Sequence, residues 1–305
     1  LVAWMGRQTN INSLRDYWQP GLEGLQQYSF NYRFFDNPYF ILQENRNAFD
    51  RDRLFGYLSA NYAFTENLSL MIRSGMDHSD EGRKFLRNFS SNRFSNGAYA
   101  EHDLSFREIN TDFLLNYHST MGEIGFDLSL GGNHMTQRAN TSQTQALTLA
   151  HPGIFKLSNT ASPLEIFEDS AEKEINSLYG LLKLNYRDIF FVDITGRNDW
   201  SSALATPTSN DNVSFFYPSV SASLIASNFI DLPKSVSFAK IRASWAQVGN
   251  DTDPYQTAGV FQPQRPVNGL PAFGAQTTIP NANLLPEETT AYEVGADIRF
   301  FNDRL

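Results

Sequence analysis

Tyr292-Glu293-Val294-Gly295-Ala296-Asp297-Ile298-Arg299-Phe300 alternates apolar and polar or small residues without a break. Tyr292, Val294, Ala296, Ile298 and Phe300 fall on one side of an extended chain, and Glu293, Gly295, Asp297 and Arg299 on the other. A repeat of two is the mark of a strand with one apolar and one polar face. Nine stretches of this kind occur along the sequence. Their alternation runs for roughly ten residues, where strands of soluble domains usually end at about five or six. Tilted strands of about 9–11 residues are what a bilayer requires of a β-barrel.

The stretches come in pairs. Leu54, Gly56, Leu58, Ala60, Tyr62 and Phe64 precede Thr65-Glu66-Asn67, and Leu68, Leu70, Ile72 and Met76 follow it. Ile109, Thr111, Phe113, Leu115 and Tyr117 are joined by a short turn to Ile124, Phe126, Leu128 and Leu130. Leu178, Gly180, Leu182, Leu184 and Tyr186 lead through Arg187-Asp188 into Phe190, Val192 and Ile194. Val220, Ala222 and Leu224 pair with Ile241, Ala243 and Trp245. Residues 1–50 read as mainly loop, with Trp4, Trp18 and Tyr39 among polar residues and a turn signal at Asn37-Pro38-Tyr39. Long loops are expected at about 79–105, 140–174 and 250–288. Short turns on one rim and long loops on the other are the asymmetry of outer-membrane barrels. Aromatics near strand ends, among them Tyr117, Tyr186, Phe190, Trp200 and Trp245, fit two interfacial girdles.

Composition agrees with this reading. The chain has 305 residues, a net charge of -9, 14% aromatic residues and no Cys. The negative charge argues against nucleic acid as a partner. Without Cys there are no disulfides and no thiol chemistry. Mean hydropathy is -0.39, which leaves a barrel open because alternating strands average their hydropathy away. No apolar run of about 18 residues is present, so no transmembrane helix is expected. Leu1 follows no leader, and the last strand runs into a tight turn at the end, so the sequence reads as an internal fragment.

The second face of the strands carries charge. Arg73, Asp112, Lys183, Asp193, Arg197, Arg242, Glu293, Asp297 and Arg299 are the candidate lumen-facing residues, with Asp77 beside them. A soluble sandwich would have to pair every such charge in its core. A wet or plugged lumen accepts them. Lys183 and Asp193 are placed to pair across the ladder. An odd number of antiparallel strands does not close a single-chain bacterial barrel, and open edges are forbidden in lipid. The sheet is therefore expected to continue on both sides.

Several ordered motifs resemble the SusC/RagA family of TonB-linked outer-membrane proteins. They are Gly196-Arg197-Asn198-Asp199-Trp200-Ser201-Ser202, Phe215-Phe216-Tyr217-Pro218-Ser219-Val220-Ser221 and Arg242-Ala243-Ser244-Trp245-Ala246-Gln247-Val248-Gly249-Asn250-Asp251. Asn283-Leu284 with Pro286-Glu287, then Tyr292-Glu293-Val294-Gly295 and Arg299-Phe300-Phe301-Asn302, continue the likeness. The resemblance implies an all-β fold, a large antiparallel transmembrane barrel of 22 strands with an N-terminal plug. Residues 1–305 would be a partial barrel domain, 1–50 mainly loop and 51–305 strands and loops, with signal peptide, plug and C-terminal strands absent. It further implies a Gram-negative, Bacteroidetes-like outer membrane, energy from TonB through a missing N-terminal part, and a SusD-like surface lipoprotein partner. The implied substrates are oligosaccharides or oligopeptides. The alternative is a soluble secreted β-sheet module that binds glycans without transport.

Catalytic, cofactor and metal sites are not expected. His78, His102, His118, His134 and His151 have no metal spacing, and no GxSxG or P-loop occurs. Asn250-Asp251-Thr252-Asp253-Pro254 could hold a hard cation, or else bond its own backbone before Pro. Glu168, Asp169 and Glu172 read as a solvated face. Arg83, Lys84, Arg87 and Arg93 alternate with Phe85, Phe89 and Phe94, which suits ligand, partner or lipid-headgroup contact better than nucleic acid. The 250–288 loop, with Tyr255, Phe261 and Phe273, is the candidate ligand-facing element.

Overall fold

The computed structural model describes residues 5–233 and 235–301. Trp4 and the turn expected over 302–305 lie outside the described residues. A short helix, α1 (Pro38–Glu44), precedes eleven strands. These are β1 (Asn47–Ala63), β2 (Leu68–Ser91), β3 (Phe94–Met121), β4 (Ile124–Ala146), β5 (Glu165–Tyr186), β6 (Phe190–Ser201), β7 (Ser214–Ile225), β8 (Val236–Asn250), β9 (Gln262–Val267), β10 (Leu270–Gly274) and β11 (Glu287–Phe300). Nine of them form one sheet in the order β1-β2-β3-β4-β5-β6-β7-β8-β11, and β9 and β10 form a separate pair. These nine are the nine expected from the alternation. The order leaves β1 and β11 as the two edges.

By contacts the chain divides into two compact units. One comprises residues 1–54, 77–107 and 138–170; the other comprises 55–76, 108–137 and 171–305. In the second, the register of β5 to β8 and β11 sets faces unambiguously. Leu182 opposes Ile194, Ile194 opposes Val220, Val220 opposes Trp245, and Trp245 opposes Tyr292. The next row, one residue along, is Lys183, Asp193, Ser221, Ser244 and Glu293. Successive side chains point to opposite faces of a sheet, so the apolar row and the polar row are back to back. The apolar row stays bare: Tyr292 is 80% exposed and Val294 82%. Among the described residues, the buried apolar side chains are Leu14, Phe40, Ala98, Tyr99, Ala146, Leu149, Ala203 and Leu204, and none lies on a strand of this unit. A soluble sheet buries its apolar face against a second layer. Among the described residues no such layer covers this row.

The short turns are where they were expected. Arg187 and Asp188 both take positive φ, 53° and 55°, as a tight hairpin demands. The Asn185 amide donates to Asp188 Oδ1 at 2.5 Å and fixes the bend. Beside it, Arg187 Nε donates to Glu123 Oε2 at 2.5 Å in the neighbouring turn, and that hydrogen bond holds the Glu123 carboxyl below its ordinary range.

The long loops differ from expectation. Residues 79–105 are not a loop: β2 and β3 continue through them and meet in a turn at Asn92-Arg93. Likewise β4 reaches Ala146 and β5 starts at Glu165. Away from the apolar band neither face of a strand has to be apolar, so the alternation fades while the backbone ladder goes on. The charges there pair instead. Arg53 binds Asp77 through both oxygens, at 2.8 and 2.6 Å, and Glu81 pairs with Arg51 and Arg83. The interleaved basic and aromatic residues of 83–94 are accounted for by strand geometry. Arg87 donates to Asn47 Oδ1 at 2.8 Å, Phe85 packs on the His102 ring at 4.6 Å, and Phe89 packs against the cluster of Tyr99, Ala146 and Leu149.

Residues 1–50 also hold more order than expected. Asn37 is fully buried and is a helix cap rather than a turn: its Oδ1 accepts from the Tyr39 and Phe40 amides, with Pro38 in the first helical turn. Its side-chain amide donates to the carbonyls of Leu14 and Tyr28 at 2.8 and 2.7 Å. One residue thus ties three segments.

Candidate functional site

The polar face of the second unit concentrates the candidate residues. Arg73 on β2 donates from Nε to Asp112 Oδ2 on β3 at 3.0 Å. Asp112 is 6% exposed, so this contact compensates a nearly buried carboxylate. Arg197 on β6 donates to Asp199 Oδ1 at 2.7 Å and to Ser177 Oγ at 2.8 Å. Its guanidinium also lies 5.4 Å from the Tyr179 ring centroid. Tyr217 on β7 donates its hydroxyl to the second oxygen of Asp199 at 2.5 Å. A wall of charge-assisted hydrogen bonds therefore runs across β5, β6 and β7.

Glycine makes room for this wall. At Gly131 a Cβ would stand 2.4 Å from the Tyr179 ring. The ring can lie on the β4 backbone only because that side chain is missing.

Other candidates are looser. Lys183 and Asp193 are Cα partners, yet among the described residues no ion pair joins them; Asp193 accepts from Ser221 Oγ at 3.4 Å. Arg242 reaches Glu293 at 3.4 Å with both side chains well exposed. A cleft of about 220 Å³ lies there, lined by Asp193, Lys240, Arg242 and Glu293 among others. Arg299 contacts Asp297 at 3.4 Å and stacks over Phe238 at 4.7 Å. The structure thus joins Arg73 to Asp112, Arg242 to Glu293 and Asp297 to Arg299, and leaves Lys183 apart. Sequence reasoning missed Ser177, Tyr179, Asp199 and Tyr217. Their parity already placed them on the charged face; Ser177, Tyr179 and Tyr217 carry no charge to mark them, and Asp199 is singled out only by its contacts.

The loop after β8 is anchored at its base. Lys173 Nζ donates to Asp251 Oδ1 at 2.6 Å and to the Thr252 carbonyl at 3.2 Å. Ser201 Oγ donates to Asp251 Oδ2 at 2.5 Å. Both oxygens of the residue considered for a hard cation, or for local backbone bonds, are thus engaged by distant side chains. Among the described residues no group of His, Asp or Glu has metal-holding geometry.

Beyond that base, β9 and β10 form a hairpin through Asn268 and Gly269, both at positive φ (53° and 79°). Asn-Gly is the strongest short hairpin signal and was readable in the sequence. Tyr255, at φ 63°, accepts the Glu172 amide N–H at its hydroxyl at 3.2 Å. It lines a pocket of about 620 Å³ with Gln256, Gln262, Gln264, Gln276 and others. Phe261 and Phe273 are exposed and do not line it. In the first unit a groove of about 680 Å³ is acidic, lined by Asp50, Asp52, Asp80, Glu81, Asp103, Glu168 and Asp169 among others.

Comparison with known proteins places this geometry. A family model described as TonB dependent receptor-like, beta-barrel matches residues 3–305. A curated relative, TonB-dependent receptor P26 of Formosa agariphila, is 28% identical over 286 residues, 88% of this chain and 28% of that protein. The RagAB peptide transporter structure matches with a TM-score of 0.76 at 16% identity, over 92% of this chain and 32% of that one. The RagAB peptide importer in its closed-closed state gives 0.74 at 17% identity, over 88% and 30%. The chain thus spans about a third or less of each relative's length.

Proposed function

The chain belongs to the TonB dependent receptor-like β-barrel family, and from that premise we propose that it forms part of the wall of an outer-membrane importer of oligosaccharides or oligopeptides. The family is one of receptors and transporters, and its barrels sit in the outer membrane. In the proposed cycle a substrate binds on the long-loop side, a SusD-like surface lipoprotein closes over it, and TonB energises a plug so that a polar lumen opens. The observation that carries the reading is the back-to-back arrangement of the sheet. A bare apolar row faces lipid, and a row of hydrogen-bonded charges faces the path. Arg73, Asp112, Lys183, Asp193, Arg197, Arg242, Glu293, Asp297 and Arg299 line that path, and the loop bearing Tyr255, Phe261 and Phe273 faces the ligand. A soluble glycan-binding module is not favoured, because the family's barrels sit in the outer membrane and, among the described residues, the apolar row is left bare.

The test is made in cells. Deleting the gene should abolish uptake of labelled oligosaccharides or oligopeptides by intact cells, and tagged intact protein should bring down one surface lipoprotein. Uptake unchanged by deletion for both substrate classes would sink the proposal.

A further inference from the structure

The loop pocket between β8 and β11 has an unusual lining. Beside Tyr255 it presents Gln256, Gln262, Gln264, Gln276, Asn281, Thr252, Thr277 and Thr278, and no Asp, Glu, Lys, Arg or His among the described residues. The side chains of Gln262, Gln264 and Gln276 make no hydrogen bond to another described side chain or backbone group, which leaves three carboxamides free around one cavity. Each carries a carbonyl acceptor and an NH2 donor without net charge.

We infer that this pocket holds an uncharged, hydroxyl-rich ligand, a neutral sugar unit, and selects against charged ligands. This rests on the importer reading and deepens it. A carboxamide can donate to one sugar hydroxyl and accept from its neighbour. A carboxylate, sulfate or ammonium group would lose hydration here without meeting a counter-charge among the described lining residues. Tyr255 supplies the apolar surface. Its hydroxyl is engaged by the Glu172 amide, and the side chain is 60% exposed, so a ring face is free for the C–H side of a pyranose. The volume of about 620 Å³ lies within the roughly 300–1,000 Å³ of small-ligand sites.

A peptide fits the same hairpin poorly. Extended peptides add to a sheet edge through its N–H and C=O groups. Pro263, Pro266 and Pro271 remove three N–H donors from β9 and β10. Close packing shapes the walls: a Cβ at Gly274 would stand 3.0 Å from Gln264 Nε2, and one at Gly259 would stand 3.4 Å from Pro280 Cγ.

The experiment uses the intact outer-membrane protein purified in detergent. It is tested on an array of neutral, carboxylated and sulfated oligosaccharides and of short peptides. Neutral oligosaccharides should be retained. Their binding should weaken by at least about tenfold in the double variant Gln264→Leu/Gln276→Leu, with Phe229→Ala, an exposed residue of the link between β7 and β8 on the other rim, unchanged. Heat-modifiable electrophoretic mobility checks folding of each variant; if the double variant misfolds, Thr277→Val/Thr278→Val takes its place. Retention of charged glycans or peptides only, retention of nothing, or binding indifferent to the pocket variants each overturns the inference. Uptake separates the two readings. Uptake of neutral oligosaccharides that ignores the pocket variants keeps the importer and removes the pocket; pocket-dependent binding without uptake does the reverse.

Discussion

Two adjacent residues of β6 test the lipid face. Ile194 sits in the apolar row between Leu182 and Val220, and Thr195 points to the polar face, where its hydroxyl meets Ser219 Oγ at 2.6 Å. A strand rises about 3.3 Å per residue, and at a tilt of about 40° each residue adds roughly 2.5 Å of depth. Counting from Phe190 at the short-turn end, Ile194 lies about 10 Å into an apolar band about 25 Å tall, near its middle. Arginine at that depth costs about 2–4 kcal/mol on a lipid face. Thr195→Arg loses one hydrogen bond, about 1 kcal/mol, and its charge meets a polar face. Folding of the intact protein into lipid vesicles, followed by denaturant titration, should therefore show Ile194→Arg as the costlier change by about 1–3 kcal/mol. Equal losses, or a greater loss for Thr195→Arg, would refute the assignment of faces.

Two further outcomes are expected. Lys173→Met leaves the Asp251 carboxylate, whose side chain is 8% exposed, without its cation; removing one partner of a buried pair costs about 3–5 kcal/mol. The loss should appear as faster hydrogen exchange in residues 251–286, smaller in Lys173→Met/Asp251→Asn, and unchanged exchange would count against a structural role for the pair. Burial first, and then donation to Glu101 at 2.6 Å, push the Tyr99 hydroxyl up to about 12. The folded state then keeps a proton that the unfolded chain releases near 10, so stability falls as pH rises from about 10 to about 12. Tyr99→Phe should flatten that part of the stability profile, and an unaltered slope would discount this group.

What was legible in the sequence follows from what the solvent asks of a strand. Between Phe190 and Ile194, or Tyr292 and Phe300, one face meets lipid and the other water, so hydropathy repeats every two residues and reveals strand, face and membrane at once. The same rule made 79–105 look like a loop. There β2 and β3 mix polar residues with apolar ones such as Phe85, Phe89 and Tyr99 without strict alternation, and hydropathy no longer reports backbone conformation. The Arg187-Asp188 turn and the charged face could be read from parity alone. The Asn268-Gly269 hairpin was also written in the chain, and was hidden by the polar residues around it.

The sequence by itself determined the class of structure, because lipid imposes a pattern on every strand that crosses it, whatever its partners. Only the tertiary structure decided who meets whom. Register separated Arg197 with Asp199 from Lys183, which faces Asp193 without pairing. It brought Lys173 to Asp251 across 78 positions of chain, and it gathered three glutamines of one loop around a cavity. Such contacts depend on side-chain reach and local packing between segments far apart in sequence, and no local pattern encodes them.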